Sequence, residues 1–250
     1  KESFKVYGTS RKANEADADK SPESLPKPES LPKTGFIRMV QLDVCSEDSV
    51  KNAVKNVMQR EGRIDILINN AGFGIAGSVE DTSIEEAYKQ FDTNFFGMLR
   101  MCREVIPIMR SQHKGLIINI SSVAGQIAIP YQSMYSASKY SIEAVSEAMR
   151  TEVRQFGINV SIVEPGDTHT GFTEKRQIVA AANNSVYSEH FKKSLSSMEK
   201  SELNGPSPER VVKEVSKIIS SKNPPVKVTA GFFYKTVVFL KRLLPVRFVA

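Results

Sequence analysis

Little in this chain speaks for metals, disulfides, a membrane span or nucleic acid. The two cysteines, Cys45 and Cys102, lie far apart and lack metal-ligand spacing, which suits free thiols in a reducing compartment. Three scattered histidines add no metal site, so no metal is expected. No apolar run reaches the roughly eighteen to twenty residues of a membrane span, and no signal peptide opens the sequence. A cytoplasmic protein is expected, or one attached to a membrane from outside. The 34 Lys and Arg are spread among 28 Asp and Glu. The net charge of +6 therefore forms no basic stripe interleaved with aromatics, and nucleic acid is not an expected partner.

What is present is length enough, at 250 residues, to bury a sizeable core in one α/β domain, and one stretch around which the rest is arranged. Leu116–Ile120 is short, β-branched and closed by Ser121-Ser122, as a buried parallel strand ending in a loop should be. Tyr135 and Lys139 follow at i and i+4 on a segment whose Ile142, Val145, Met149, Val153 and Phe156 recur at helical steps and whose Gly157 stands at a C-cap position. A hydroxyl from a strand end can thus meet a phenol and an ammonium from one helix face. A free phenol, with a pKa of about 10, is a poor base at neutrality, and a neighbouring ammonium lowers that value. Tyr135 could then exchange a proton with a substrate oxygen that Ser122 holds. Taken alone, Tyr-x-x-x-Lys is also an ordinary exposed i,i+4 pair.

Ser-Ser closing an apolar strand, thirteen residues from Ser122 to Tyr135, and small residues between Tyr135 and Lys139 together resemble the short-chain dehydrogenase/reductase family. Asn69-Asn70-Ala71-Gly72 after the buried strand Asp65–Ile68 resembles a second family element. The resemblance extends from about Phe4 to Gly231 and implies a Rossmann-like, doubly wound parallel sheet with helices on both faces. It also implies hydride transfer between a nicotinamide and a secondary alcohol or ketone. Tyr135 would be the acid/base, Lys139 would lower its pKa and bind the ribose, and Ser122 would orient the substrate oxygen. Asn94 would support a proton relay through its backbone, although an Asn near Gly97 also reads as a local interruption of a helix.

The same resemblance carries cofactor contacts onto Ser10 and Arg11 at the end of the first strand, Asp43 and Val44 against the adenine, and Asn70, Ala71 and Gly72 bracing the sheet beside the cofactor. Pro165, Gly166, Thr168 and Thr170 would face the nicotinamide, and His169 is a solvated loop residue. An Arg where an acid would select NAD points to NADP, with NAD the lesser choice; a solvated basic turn is the plainer reading of Arg11. Family members pair through the helices near Gln112 and Tyr135, so a homodimer or homotetramer is expected.

Three features depart from the family. Nothing resembling Gly-x-x-x-Gly-x-Gly precedes Phe4, so the first strand and helix are expected to be absent, the chain being a fragment of a longer product. The strands at Phe4 and Ile66 should then stand apart across a slot roughly twice the usual 4.8 Å spacing. Residues 13–35 carry PESLPK twice, with four prolines in twelve residues, and read as an extended, mobile insertion. Residues 232–250 form a basic, apolar tail with two readings, a helix in a membrane interface or one packed over the substrate pocket or a partner subunit. Residues 172–204 read as a lid of short helices over a lipophilic alcohol or carbonyl substrate of steroid, retinoid or acyl type, with Phe191 and Met198 favoured as core. Ser46 and Ser83 are read as N-caps, and Ser207 as the cap of a helix with Pro208 at its first position. The competing reading is a non-catalytic chain in which the fold serves assembly or membrane attachment.

Overall fold

The computed structural model describes residues 4–13 and 36–244. Most of the Pro-rich insertion and the last six residues of the tail lie outside the described residues. The chain runs β1 (Lys5–Ser10), β2 (Phe36–Gln41), α1 (Glu47–Glu61), β3 (Ile66–Asn69), β4 (Ile75–Ala76), α2 (Ile84–Phe91), α3 (Gly97–Ser111), β5 (Gly115–Ile120), α4 (Ser133–Val153), β6 (Ile158–Pro165), β7 (Gln177–Ile178), α5 (Ser188–Leu203), α6 (Glu209–Ser220), β8 (Lys227–Ala230) and α7 (Phe232–Leu243).

Every strand pair is parallel. The main sheet has the order β3-β5-β6-β8, β1 pairs with β2 separately, and β4 pairs with β7. β1 does not pair with β3, so the direct pairing that would close the expected slot does not occur among the described residues. Successive residues of β5 serve opposite faces, as the two-residue strand period requires. Ile117 joins Val54, Met98, Cys102, Val105, Met109 and Met149 under α1, α3 and α4. Leu116 and Ile118 join Val163 and Ile218 under α6. Each fully buried Ile contributes about 1.5–3 kcal/mol of transfer free energy, and both faces of this strand are covered in this way. β3 is less buried than its apolar sequence suggested, since Ile68 is 44% exposed.

Local chemistry sets the element ends. Ser46 caps α1 by accepting from the Ser49 amide, and Gly62 closes the helix in the left-handed region at φ 68°. Ser83 and Glu86 form a reciprocal capping box on α2. Two expectations are corrected. The lid is not a set of short helices, because α5 runs unbroken for 16 residues, Phe191 buried on its inner side. α6 begins at Glu209 with Pro208 as its cap; the fixed φ of proline suits either position.

Candidate active site

Ser122 leaves β5 in extended conformation, its hydroxyl accepting from the Ala124 amide at 3.1 Å and donating to the Pro165 carbonyl at 3.4 Å. Tyr135 and Lys139 are both buried on the inner face of α4, at 8% and 6% exposure. The Lys139 ammonium donates to the Ile120 carbonyl at the end of β5, 2.9 Å away, and stands 5.7 Å from the centre of the Tyr135 ring. The strand end and the helix face therefore bring the three expected groups together. Burial pushes the Tyr135 phenol up to about 12, with the Ser122 hydroxyl drawing it down. Burial also lowers Lys139 to about 8, against the pull of Glu143. The expected lowering of the phenol by Lys139 is not what this geometry gives. The ammonium is spent on the Ile120 carbonyl, and desolvation of the phenolate dominates.

Asn94 sits within a five-residue π-helical turn, Asp92–Phe96, between α2 and α3, a distortion common at functional sites. It acts through its side chain. Oδ1 accepts from the Phe73 amide at 3.0 Å, while Nδ2 donates to the Phe73 carbonyl at 3.0 Å and to Ser138 Oγ at 3.2 Å. Ser138 Oγ in turn donates to the Tyr135 carbonyl at 2.7 Å. Asn94 thus fixes the helix turn that carries Tyr135. Gln90, fully buried, shares the task by accepting from the Ile75 amide at 2.8 Å and donating to the Phe73 carbonyl at 2.7 Å.

The sheet is braced by different amides from those expected. Asn70, Ala71 and Gly72 are exposed after β3. It is Asn69 that donates to Asn119 Oδ1 at 2.9 Å, and Asn119, fully buried, that donates to Ser146 Oγ at 2.8 Å. Gly72 has a separate reason to be glycine, since a Cβ there would lie 3.2 Å from Asn94 Oδ1.

Towards the other candidates the picture is mixed. Arg11 is exposed beside the half-buried Ser10 at the carboxyl end of β1, its carbonyl accepting from Gln41 at 3.4 Å. Asp43 is drawn into its own turn, Oδ1 accepting from the Cys45 amide at 3.0 Å. Val44 packs towards Gly97, and its carbonyl accepts from Arg100 at 3.1 Å. Beyond β6 the Thr168 hydroxyl donates to the Gly166 carbonyl at 2.9 Å, and Thr170 Oγ1 accepts from the Phe172 amide at 3.2 Å. Gly166 is covered from one side: a Cβ there would run into the Tyr234 ring, and the Tyr234 hydroxyl donates to Asp167 Oδ2 at 2.7 Å. The tail helix α7 is therefore packed on this loop, and Gly166 lies against Tyr234 where the resemblance implied a nicotinamide contact. Even so, Ser10–Arg11, Asn70–Gly72, Ser122 and Pro165–Thr170 all lie at or just beyond carboxyl ends of parallel strands, the edge at which open α/β sheets take ligands.

The lid adds groups that the sequence left unremarked. Phe172 packs against Tyr135 in a tilted arrangement, ring centres 5.5 Å apart. The Arg176 guanidinium stands 5.8 Å from the Phe172 ring and is paired with Glu202 of α5, which also accepts from the Thr173 hydroxyl at 2.6 Å. Arg and Glu spaced 26 residues apart give no local pattern that would announce them.

Residues 6–179 match the short chain dehydrogenase family. The chain is 43% identical over 227 residues to a 3-ketodihydrosphingosine reductase of Bacteroides thetaiotaomicron, covering 90% of this chain and 78% of that protein. It is 34% identical over 212 residues to retinol dehydrogenase 8 of Homo sapiens, covering 82% and 67%. Among solved structures, a short-chain dehydrogenase from Streptomyces avermitilis superposes with a TM-score of 0.78 at 29% identity, covering 96% of this chain and 82% of that one.

Proposed function

We propose that this chain, which belongs to the short-chain dehydrogenase family, is an NADP(H)-dependent oxidoreductase interconverting a ketone and a secondary alcohol on a lipophilic substrate. The observation that carries the reading is the convergence of Ser122, Tyr135 and Lys139 at the carboxyl end of β5, two of them buried on one helix face. The donor set suits a dinucleotide: Lys139 for a ribose, the exposed backbone at Asn70–Gly72, and Arg11 for a phosphate. When bound, the nicotinamide supplies or accepts the hydride.

The chain's own residues handle the substrate oxygen and its proton. Ser122 donates to the oxygen and orients it. A phenol held near 12 is protonated at neutral pH, so Tyr135 is placed to give its proton to a carbonyl oxygen as charge develops there. The same phenol serves either direction, giving its proton in carbonyl reduction and taking it back in alcohol oxidation. Lys139 holds the ribose side and Asn94 fixes the helix turn. A lipophilic substrate is favoured by the relatives named for ketodihydrosphingosine and retinol.

No helix among the described residues is long and apolar enough to cross a bilayer. The same reading sets the protein in the cytoplasm as a dimer or tetramer pairing through α3 and α4, and rests α7 on a membrane surface. Phe232, Phe233, Phe239 and Leu243 are 85%, 68%, 60% and 65% exposed there, beside Lys235 and Lys241. The test is NADPH oxidation against a panel of long-chain ketones by the parent and Y135F. Loss of turnover with NADPH binding retained, followed by nicotinamide fluorescence, is expected. Turnover surviving in Y135F removes Tyr135 from its role, and no fluorescence change in the parent favours a non-catalytic chain.

A further inference from the structure

α4 carries Tyr135, Lys139, Glu143 and Glu147 at successive steps of four, which stacks them along one side of the helix. The first three are buried and Glu147 is exposed. The chemistry proposed above leaves Glu143 without a task, yet burying a carboxylate is costly unless something answers its charge.

Its surroundings come from three other elements. Lys227 of β8 reaches Glu143 Oε2 at 2.6 Å and Glu147 Oε1 at 2.9 Å. Gln126, in the loop after β5, donates to Glu143 Oε2 at 3.3 Å. Glu164 of β6, fully buried, stands 3.7 Å from the same Lys227 ammonium and accepts from the Thr229 hydroxyl at 2.5 Å. Oε2 of Glu143 is thus engaged twice; burial and the nearby Glu164 push the Glu143 carboxyl up, while Lys227 and the Ser121 hydroxyl hold it down towards the carboxylate. One turn away, Lys139 keeps a buried ammonium bonded to a neutral carbonyl. A cation and an anion one turn apart on a dry face attract far more strongly than in water.

We propose that Glu143 is a positioning residue whose carboxylate, held in place by Lys227 and Gln126, is the counter-charge that keeps Lys139 an ammonium in its buried site. This rests on the reading of Tyr135 and Lys139 as a catalytic pair. The direction is consistent with the groups themselves, since burial depresses Lys139 and Glu143 works against it. Without Glu143, Lys139 loses its proton at lower pH, and with it the charge that holds a ribose hydroxyl.

The Lys139 Cε and Nζ resonances, in protein grown on isotope-labelled lysine and assigned with K139R, report its titration without any cofactor. In E143Q the midpoint is expected to fall by about one unit or more, and in E143D, whose charge stands a methylene further off, to lie between E143Q and the parent. The alkaline limb of kcat/KM should move down with it. An unmoved midpoint in folded E143Q overturns the proposal, and should E143Q not fold, an unmoved midpoint in E143D does so. A midpoint that moves while the rate limb stays supports the counter-charge and removes Lys139 from the chemistry, which separates the two readings.

Discussion

Phe172 lies against Tyr135 with ring centres 5.5 Å apart and planes tilted by 55°. Phe172 thereby shields part of the phenol ring, and Arg176, backed by Glu202, stands over the same Phe172 ring. Phe172→Ala admits water to that face, so the Tyr135 phenol should move from about 12 towards its ordinary value near 10. Ultraviolet difference titration against the matching Y135F variant reads this directly, with a fall of about one unit expected. An unchanged midpoint would place the source of desolvation elsewhere.

Cofactor choice turns on Arg11. No acid lies between Gly8 and Lys12, and the exposed guanidinium at the end of β1 suits a 2′-phosphate. The parent should prefer NADPH to NADH, and Arg11→Asp should reverse the preference, read as the ratio of dissociation constants. Equal affinities in the parent would reduce Arg11 to a solvated turn residue.

The buried amide chain Asn69–Asn119–Ser146 should matter to stability more than to catalysis. Asn119→Leu keeps the branching but removes the partner of the buried Ser146 hydroxyl and leaves the half-buried Asn69 amide only Cys102 Sγ, at about 1–3 kcal/mol. Urea denaturation measures this loss. A change below about half a kcal/mol would mean that both groups find other partners.

Vesicle binding tests α7. Replacing Phe232, Phe239 and Leu243 together with Ser leaves the buried Val238 and the Tyr234–Asp167 bond in place. It should weaken co-sedimentation with anionic vesicles about tenfold per residue. Binding unaltered by the triple substitution would show that this face meets something other than lipid.

Much of this was legible from local chemistry. Ser46, Gly62 and Ser83 end helices because a hydroxyl or a missing Cβ suffices at those positions, and neither depends on distant parts of the chain. The convergence of Ser122, Tyr135 and Lys139 was legible because one strand end and one helix face contain all three. What escaped the sequence was side-chain pairing across long separations: Asn69 with Asn119, Arg176 with Glu202, Lys227 with Glu143, Tyr234 with Asp167. In each the two partners lie on different elements, and polar residues within a strand or helix look like its solvated side until the fold brings them inward. The Lys139–Tyr135 electrostatics were misjudged for a related reason. Spacing on a helix shows proximity, but the dryness of the site decides which charge state prevails.

The π-helical turn at Asp92–Phe96 bears on which insertions and deletions this sequence can accept. Such a turn holds one residue more than an α-helical turn, so deleting a single residue within it would leave α2 and α3 as one continuous, better hydrogen-bonded helix. The local gain would come with a rotation of about 100° between everything before the deletion and everything after it. Gln90 would keep its bonds to Phe73 and Ile75, all three preceding the deletion, while Asn94, in register with Ser138 of α4, would lose its pair of bonds to Phe73. A shortened chain could therefore keep its helix content and lose the alignment of the segment after β3. In this stretch the reading frame of the helix, more than the identity of any one side chain, ties the sheet edge to the helix that carries Tyr135.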